Sequence, residues 1–289
     1  MRRVIVSVLA VTLFLGILSR TTAQPQVTVA TQFDFIRQGH VGVVTLSGAD
    51  VAGGIILTLD RAYPFFPTST GFAALLAVPL DQKLSKEYPM TVTVYLTNGE
   101  TITSESLLRV ESGEYISEKS FVLPKDKVYL LDLGIQTNED YRLRSIYGMI
   151  TAEKFWEGRF NVPLSTTTTS PFGSVRTFND GTARRHTGVD FRVGAGVPIA
   201  TAASGRVVFA RALDIHGNSI IIDHGWGVFS SYSHLSEMYV VPGQIVLQGE
   251  MIGLTGNTGR STGAHLHWEI AVNGLWVSPL DFLQVTLPN

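Results

Sequence analysis

The segment His265-Leu266-His267-Trp268-Glu269-Ile270-Ala271-Val272, close to the C-terminus, reads as a β-strand and is followed by the turn signal Asn273-Gly274. Side chains at i and i+2 of a strand point to the same face. His265 and His267 therefore stand side by side, close enough to share one ion or one substrate. Short apolar segments of the same kind recur upstream at 188–193, 205–210, 219–223, 229–232 and 251–254, separated by turns such as His216-Gly217-Asn218. No long amphipathic helix interrupts them. Residues 161–289 are thus expected to form an antiparallel β domain of sheet and loops.

The rest of the chain divides by pattern. Residues 24–112 alternate apolar and polar positions at 41–46, 55–59 and 90–96. Asn98-Gly99 then signals a two-residue hairpin, and 101–110 reads as the returning strand. A small β-sandwich is expected there. Its one histidine, His40, is assigned a structural role. Residues 113–160 carry more charge and read as a connector, with a helix from Asn138-Glu139-Asp140 to about Glu153. Leu143, Ile146, Tyr147 and Ile150 fall on one face of it. The polar run Thr166-Thr167-Thr168-Thr169-Ser170-Pro171 reads as a loop. The fold class is mainly β: a sandwich-like domain, a partly helical connector and a C-terminal antiparallel sheet.

Composition bounds the function. Of 289 residues, 45% are hydrophobic and 16% charged, which fits a folded protein. Residues 1–23 have the form of a signal peptide: Arg2-Arg3, an apolar run from Val4 to Leu18, and the small residues Thr21-Thr22-Ala23 before Gln24. Export to the periplasm, the cell envelope or the medium is expected, with membrane attachment only if the leader stays uncleaved. Loss of the three arginines at 2, 3 and 20 takes the formal charge from −2 to −5. No basic excess remains to neutralise phosphates, so nucleic acid is not an expected partner. The chain has no cysteine, which excludes disulfides, thiolate ligands and a cysteine nucleophile.

Six of the seven histidines lie between 186 and 267. In His186-Thr187-Gly188-Val189-Asp190, an imidazole and a carboxylate four residues apart flank a turn-permitting glycine and can converge on one cation. His267 can be the third ligand. Two histidines and a carboxylate, with a fourth position left for water, make an open zinc site. Zinc brings the pKa of bound water to about 7. Amide hydrolysis also needs a proton acceptor and a proton donor, tasks that suit histidine. His265 and the His234 of Tyr232-Ser233-His234-Leu235 remain near such a metal without being needed as ligands. His224, before Gly225, is assigned a structural role, and His216 reads as a loop residue. The glycine-rich run 256–263 lacks the lysine of a phosphate loop, and neither His-Glu-x-x-His nor Gly-x-Ser-x-Gly occurs.

His-x-x-x-Asp, then Tyr-x-His-Leu, then His-x-His on a terminal strand resembles the M23 family of zinc metallopeptidases, the lysostaphin-type or LytM-type peptidoglycan endopeptidases. Phe172-Gly173, Arg176, Asp223-His224-Gly225 and Gly256-Asn257-Thr258-Gly259 extend the resemblance over about 110 residues, from roughly Thr169 to Pro279. It implies one zinc ion held by His186, Asp190 and His267, with His234 and His265 as catalytic histidines. The implied substrate is peptidoglycan peptide, cut at cross-links or stems through a zinc-activated water. Ala264 departs from the family, where proline is common, and neither side chain can bind zinc. Some members of the family have lost ligands and act as binding modules that regulate other wall hydrolases, whereas this chain keeps every ligand. Latency through the β module or the connector covering the groove is a further alternative, and no residue pattern identifies such a plug. The absence of a basic wall-binding module favours a D,D-type cross-link over a glycine bridge.

Overall fold

The computed structural model describes residues 26–84 and 87–287, and the expected leader at 1–23 lies outside them. Near the N-terminus two four-stranded antiparallel sheets face each other. One runs Thr28–Thr31, Val41–Ser47, Gly71–Ala77, Phe66–Thr68 and the other Arg61–Pro64, Val51–Thr58, Tyr88–Leu96, Thr101–Leu108. Val44, Leu46, Ile56, Leu76, Val92 and Val94 fill the space between them. The strand Gly71–Ala77 is apolar at nearly every position because both its faces are covered. Ala74 and Leu76 point into the sandwich, while Ala73, Leu75 and Ala77 join the core under the C-terminal sheet. Asn98-Gly99 does reverse the chain, but as part of a three-residue connection. The Leu96 N–H closes on Glu100 O (2.9 Å) and the Gly99 N–H on Leu96 O (3.0 Å), with Gly99 at φ 86°.

The connector begins with a 3-10 turn, Lys125–Leu131, and continues as the helix Leu133–Tyr147. That helix starts five residues before the expected Asn138 and stops well short of Glu153. The cause of the early start is Asp132, whose Oδ1 accepts from the N–H groups of Gly134 (2.8 Å) and Ile135 (3.1 Å). Gly148 ends it, so Ile150 lies beyond the helix and is half exposed. Leu143 and Tyr147 are buried against Ile221, Phe229 and Ala271 of the C-terminal sheet.

That sheet is antiparallel throughout, in the order Thr168–Ser170, Val189–Arg192, His265–Val272, Val228–Leu235, Asn218–Gly225, Gly205–Ala212, Ile245–Val246, with Leu275–Val277 also paired to His265–Val272. The threonine run expected to be a loop supplies its edge strand, because β-branched residues suit a pleated surface. Along His265–Val272 the alternation is strict. Leu266, Trp268 and Ile270 are fully buried in the main core, and the opposite face carries His265, His267 and Glu269. Two backbone-mediated contacts tie the sandwich to this unit: the Asn273 side-chain amide donates to Leu75 O (2.8 Å) and the Ser278 N–H to Gly39 O (2.7 Å). Among the described residues, no helix is long and apolar enough to cross a membrane.

Candidate active site

Strand register assembles the site. In the antiparallel pair Val189–Arg192 with His265–Val272, Asp190 stands opposite His267 and Arg192 opposite His265. Directly paired residues share a face, so Asp190 joins the histidine face. His186 arrives from the turn after Ala183–Arg185, its N–H bonded to Ser174 O and its carbonyl accepting from the Gly173 N–H. Gly188 is needed here for close approach: a Cβ on it would lie 2.4 Å from Trp268 O and 2.8 Å from His267 Cε1.

Three donor atoms then converge. His186 Nε2 lies 3.1 Å from Asp190 Oδ1 and 3.0 Å from His267 Nδ1, and His267 Nδ1 lies 2.8 Å from Asp190 Oδ1. Tautomers follow from the far side of each ring. His186 Nδ1 is 2.9 Å from the Pro171 carbonyl, which only accepts, so Nδ1 carries the proton and Nε2 presents a lone pair. His267 Nε2 is 3.2 Å from the Glu269 carboxylate, and a proton there leaves Nδ1 as a second lone pair. With Asp190 ionised, three buried lone pairs face one another, an arrangement that suits a cation. His186, Asp190 and His267 can hold a metal ion. Two neutral imidazoles and one carboxylate match the donor set of an open zinc site.

Asp190 is kept ionised. Burial works to raise its pKa, but the His186 ring, the Arg176 guanidinium and the close contacts with both histidines hold it well below the usual carboxylate range. Arg176 binds Asp190 Oδ2 and also reaches Ser170 Oγ (2.5 Å), which leaves Oδ1 for the convergent point. Burial pushes the His186 pKa down. For His267 burial acts the same way, but the carboxylates of Asp190 and Glu269 reverse it.

Two further histidines flank this point. His234 ends the strand Val228–Leu235 at φ 64°, and its ring centroid is 4.7 Å from that of His265 and 5.8 Å from that of His267. Each has Nδ1 committed to a backbone carbonyl, His234 to Thr258 O (2.8 Å) and His265 to Gly263 O (2.8 Å). Nε2 is therefore the unprotonated nitrogen of both neutral rings. His265 Nε2 sits 3.6 Å from Asp190 Oδ1. Burial lowers both pKa values, and for His234 the neighbouring imidazoles lower it further.

All five residues singled out from the sequence thus meet in one cleft. Phe121, Leu123, Gln136 and Asp140 of the connector line the same cleft. What the sequence reading missed lies beneath it. His216 is a loop residue, as expected, but it also sits, partly buried, between two carboxylates, Glu139 (Nδ1 to Oε1 2.5 Å) and Glu269 (Nε2 to Oε1 3.6 Å). Burial would lower its pKa, yet the two glutamates drive it up to about 10. His216, His267 and Glu269 form a second group of potential ligands that shares His267 with the first. Glu269 was legible by period two, since it stands two residues beyond His267 on the same strand face. Nothing in the sequence marked Glu139.

Residues 184–279 match the model of peptidase family M23, a span that contains all five site residues. Among curated proteins, the chain is 41% identical over 144 residues to the DD-carboxypeptidase/endopeptidase Mpg of Neisseria meningitidis, covering 49% of this chain and 32% of that protein. It is 42% identical over 103 residues to the peptidoglycan DD-endopeptidase ShyA of Vibrio cholerae, covering 36% of this chain and 23% of that one. The chain therefore spans about a third or less of the length of these relatives. A crystal structure assigned to peptidase M23 from Pseudomonas aeruginosa superposes with a TM-score of 0.64 over 88% of this chain and 97% of that one, at 24% identity, and shares the fold. The stretch that carries the converging histidines and Asp190 is thus the part of the chain that is similar to peptidase family M23.

Proposed function

We propose that this protein is an exported zinc-dependent endopeptidase that hydrolyses peptide bonds of bacterial peptidoglycan, in cross-links or stem peptides. The observation that carries this reading is the convergence of three buried donor atoms, His186 Nε2, His267 Nδ1 and Asp190 Oδ1, within 3.1 Å of one another. His186, Asp190 and His267 would hold the ion. When bound, zinc supplies a Lewis acid that polarises the scissile carbonyl and acidifies water.

The remaining chemistry falls to the chain. Peptide hydrolysis forms a bond from water oxygen to the carbonyl carbon, breaks the C–N bond and moves one proton from the water to the departing amine. Nε2 of His265 and Nε2 of His234 would handle that proton, a reading supported by the contact of Nδ1 of each ring with a backbone carbonyl. Lowered pKa values keep both rings neutral and able to accept. Arg176 fixes Asp190 and so orients the ligand set. The names of two relatives, a DD-carboxypeptidase/endopeptidase and a peptidoglycan DD-endopeptidase, support a D,D-type cross-link as the bond cut.

The test is digestion of purified peptidoglycan by the chain without its first 23 residues, with and without a chelator. Release of new muropeptides that stops on chelation and returns with zinc is expected. An unchanged muropeptide profile at every zinc level would overturn the proposal. Product masses distinguish a D,D-cross-link from a glycine bridge.

A further inference from the structure

The sheet face that bears His265, His267 and Glu269 is covered over its other half by the connector helix, where Leu143 and Tyr147 pack on Ile221, Phe229 and Ala271. Packing alone does not explain two polar groups that the helix sends under the site. Glu139, 4% exposed, accepts from the N–H groups of Ile215 (2.8 Å) and His216 (3.0 Å) and from His216 Nδ1 (2.5 Å). Tyr147 donates its hydroxyl to Glu269 Oε2 (3.2 Å). Glu269 is 1% exposed, and its Oε1 receives the Thr187 hydroxyl (2.5 Å) and faces His267 Nε2 (3.2 Å) and His216 Nε2 (3.6 Å). A buried carboxylate is costly unless it is paired and fully hydrogen-bonded. Both of these are, and each partner leads one step closer to His267.

Resting on the zinc reading above, we propose that the connector helix is a structural support of the metal centre. Glu139 and Tyr147 fix His216 and Glu269, and Glu269 fixes the His267 ring so that Nδ1 faces the ion. The need for such a support follows from the ring itself. His267 has a carboxylate at each nitrogen, Asp190 Oδ1 at Nδ1 and Glu269 Oε1 at Nε2. Only a proton committed to Nε2 leaves the Nδ1 lone pair for a metal. Glu269 secures that commitment when its own orientation is locked, which is what Tyr147, Thr187 and His216 do. The helix thereby belongs to the site, though it contributes no ligand. Glu139, Tyr147, His216 and Glu269 are positioning residues.

The experiment uses the full chain and reads zinc affinity by chelator competition, the visible spectrum of the cobalt(II)-loaded protein, and thermal melting. Glu269→Gln should weaken zinc binding by about 10- to 100-fold, the usual effect of losing an outer partner of a ligating histidine. Tyr147→Phe and Glu139→Gln should each weaken it several-fold and shift the cobalt bands, while Leu143→Ala should lower the melting temperature and leave both metal readouts unchanged. Should Glu139→Gln fail to fold, Tyr147→Phe, which removes a single hydroxyl, decides the question. Folded Tyr147→Phe and Glu269→Gln variants with zinc affinity within about twofold of the parent and an unaltered cobalt spectrum would overturn the proposal. A parent chain that binds no zinc would instead remove the functional reading on which it rests.

Discussion

Phe66 of the N-terminal sandwich stacks on Trp226 of the C-terminal domain, with ring centroids 5.2 Å apart and planes 8° from parallel. Trp226 in turn meets Trp156 edge-on at 5.7 Å, so the sandwich, the connector and the C-terminal domain share one aromatic cluster. Both Phe66 and Trp226 are buried. Truncating a buried phenylalanine removes its transfer energy and leaves a cavity, at a cost of about 3–5 kcal/mol. Phe66→Ala is therefore expected to lower the denaturant midpoint markedly and to redshift tryptophan emission as Trp226 meets water. A variant with unchanged midpoint and emission would show that the stack does not couple the two units.

The two histidines of the 265–267 pair should separate cleanly by substitution. His267→Ala removes a convergent lone pair, and the chain should lose stoichiometric zinc. His265 has Nδ1 tied to Gly263 O and Nε2 3.6 Å from Asp190 Oδ1, outside the convergent triad. His265→Ala should keep one zinc and lose turnover by about 10²- to 10⁴-fold, the range for losing a proton-transfer group. Zinc content by atomic emission and muropeptide release by chromatography check both. Full turnover in His265→Ala would remove that residue from the mechanism.

The strand His265–Val272 was readable because each level of its sequence agrees. Period two sets the face, Leu266, Trp268 and Ile270 fill the core, and Asn273-Gly274 ends the strand. His186 and Asp190 were readable because their ligand chemistry is local. Helix boundaries were not, since the deciding residue was Asp132, a cap that only the folded geometry shows to accept from two N–H groups. The threonine run was misread as a loop because its polar character hid a strand whose partner, Val189–Arg192, lies some twenty residues on. Glu139 was invisible for a similar reason: a helical glutamate is ordinarily solvated, and its partners at 215 and 216 are brought to it only by the fold.

His224 gives the fold a dependence on acid. Its Nδ1 donates to Ser204 O (2.9 Å), its Nε2 lies 2.7 Å from the Ser230 hydroxyl, and the Phe160 ring packs edge-on at 4.7 Å. Burial pushes its pKa down to about 4. The folded chain therefore keeps His224 neutral where the unfolded chain, titrating near 6.5, takes up a proton. Stability is lost as the pH falls from about 6.5 to about 4 and then levels off, on the order of 3 kcal/mol from this group. Urea denaturation at pH 7 and pH 4.5 should show that loss in the parent and a smaller one in His224→Gln. Equal losses in the two would assign the acid sensitivity to other groups.

A second titrating contact joins the sandwich to the C-terminal helix Pro279–Phe282, and its sign runs in two directions. His40 Nε2 lies 3.0 Å from Asp281 Oδ2, while His40 Nδ1 lies 2.9 Å from Gln38 O. Burial acts to lower the His40 pKa, but the bonds to Asp281 and Gln38 and the Asp281 charge outweigh it, so His40 ends raised. Asp281 is lowered, first by its bond to His40. The histidine's contribution is complete below its unfolded pKa, near 6.5, and is lost as the pH rises through the raised value. The aspartate's contribution is complete above its unfolded pKa, near 3.9, and is lost as the pH falls through the depressed value. The pair is thus strongest between about pH 4 and pH 6.5. Because the Asp281 side chain is 62% exposed, solvent screening holds its worth to less than about 1 kcal/mol. Asp281→Asn should lower the melting temperature slightly at pH 5.5, and the drop should shrink as the pH rises through the raised pKa of His40. A drop of the same size at every pH above 5.5 would mean that Asp281 acts through its bond to Ser278 rather than through the ion pair.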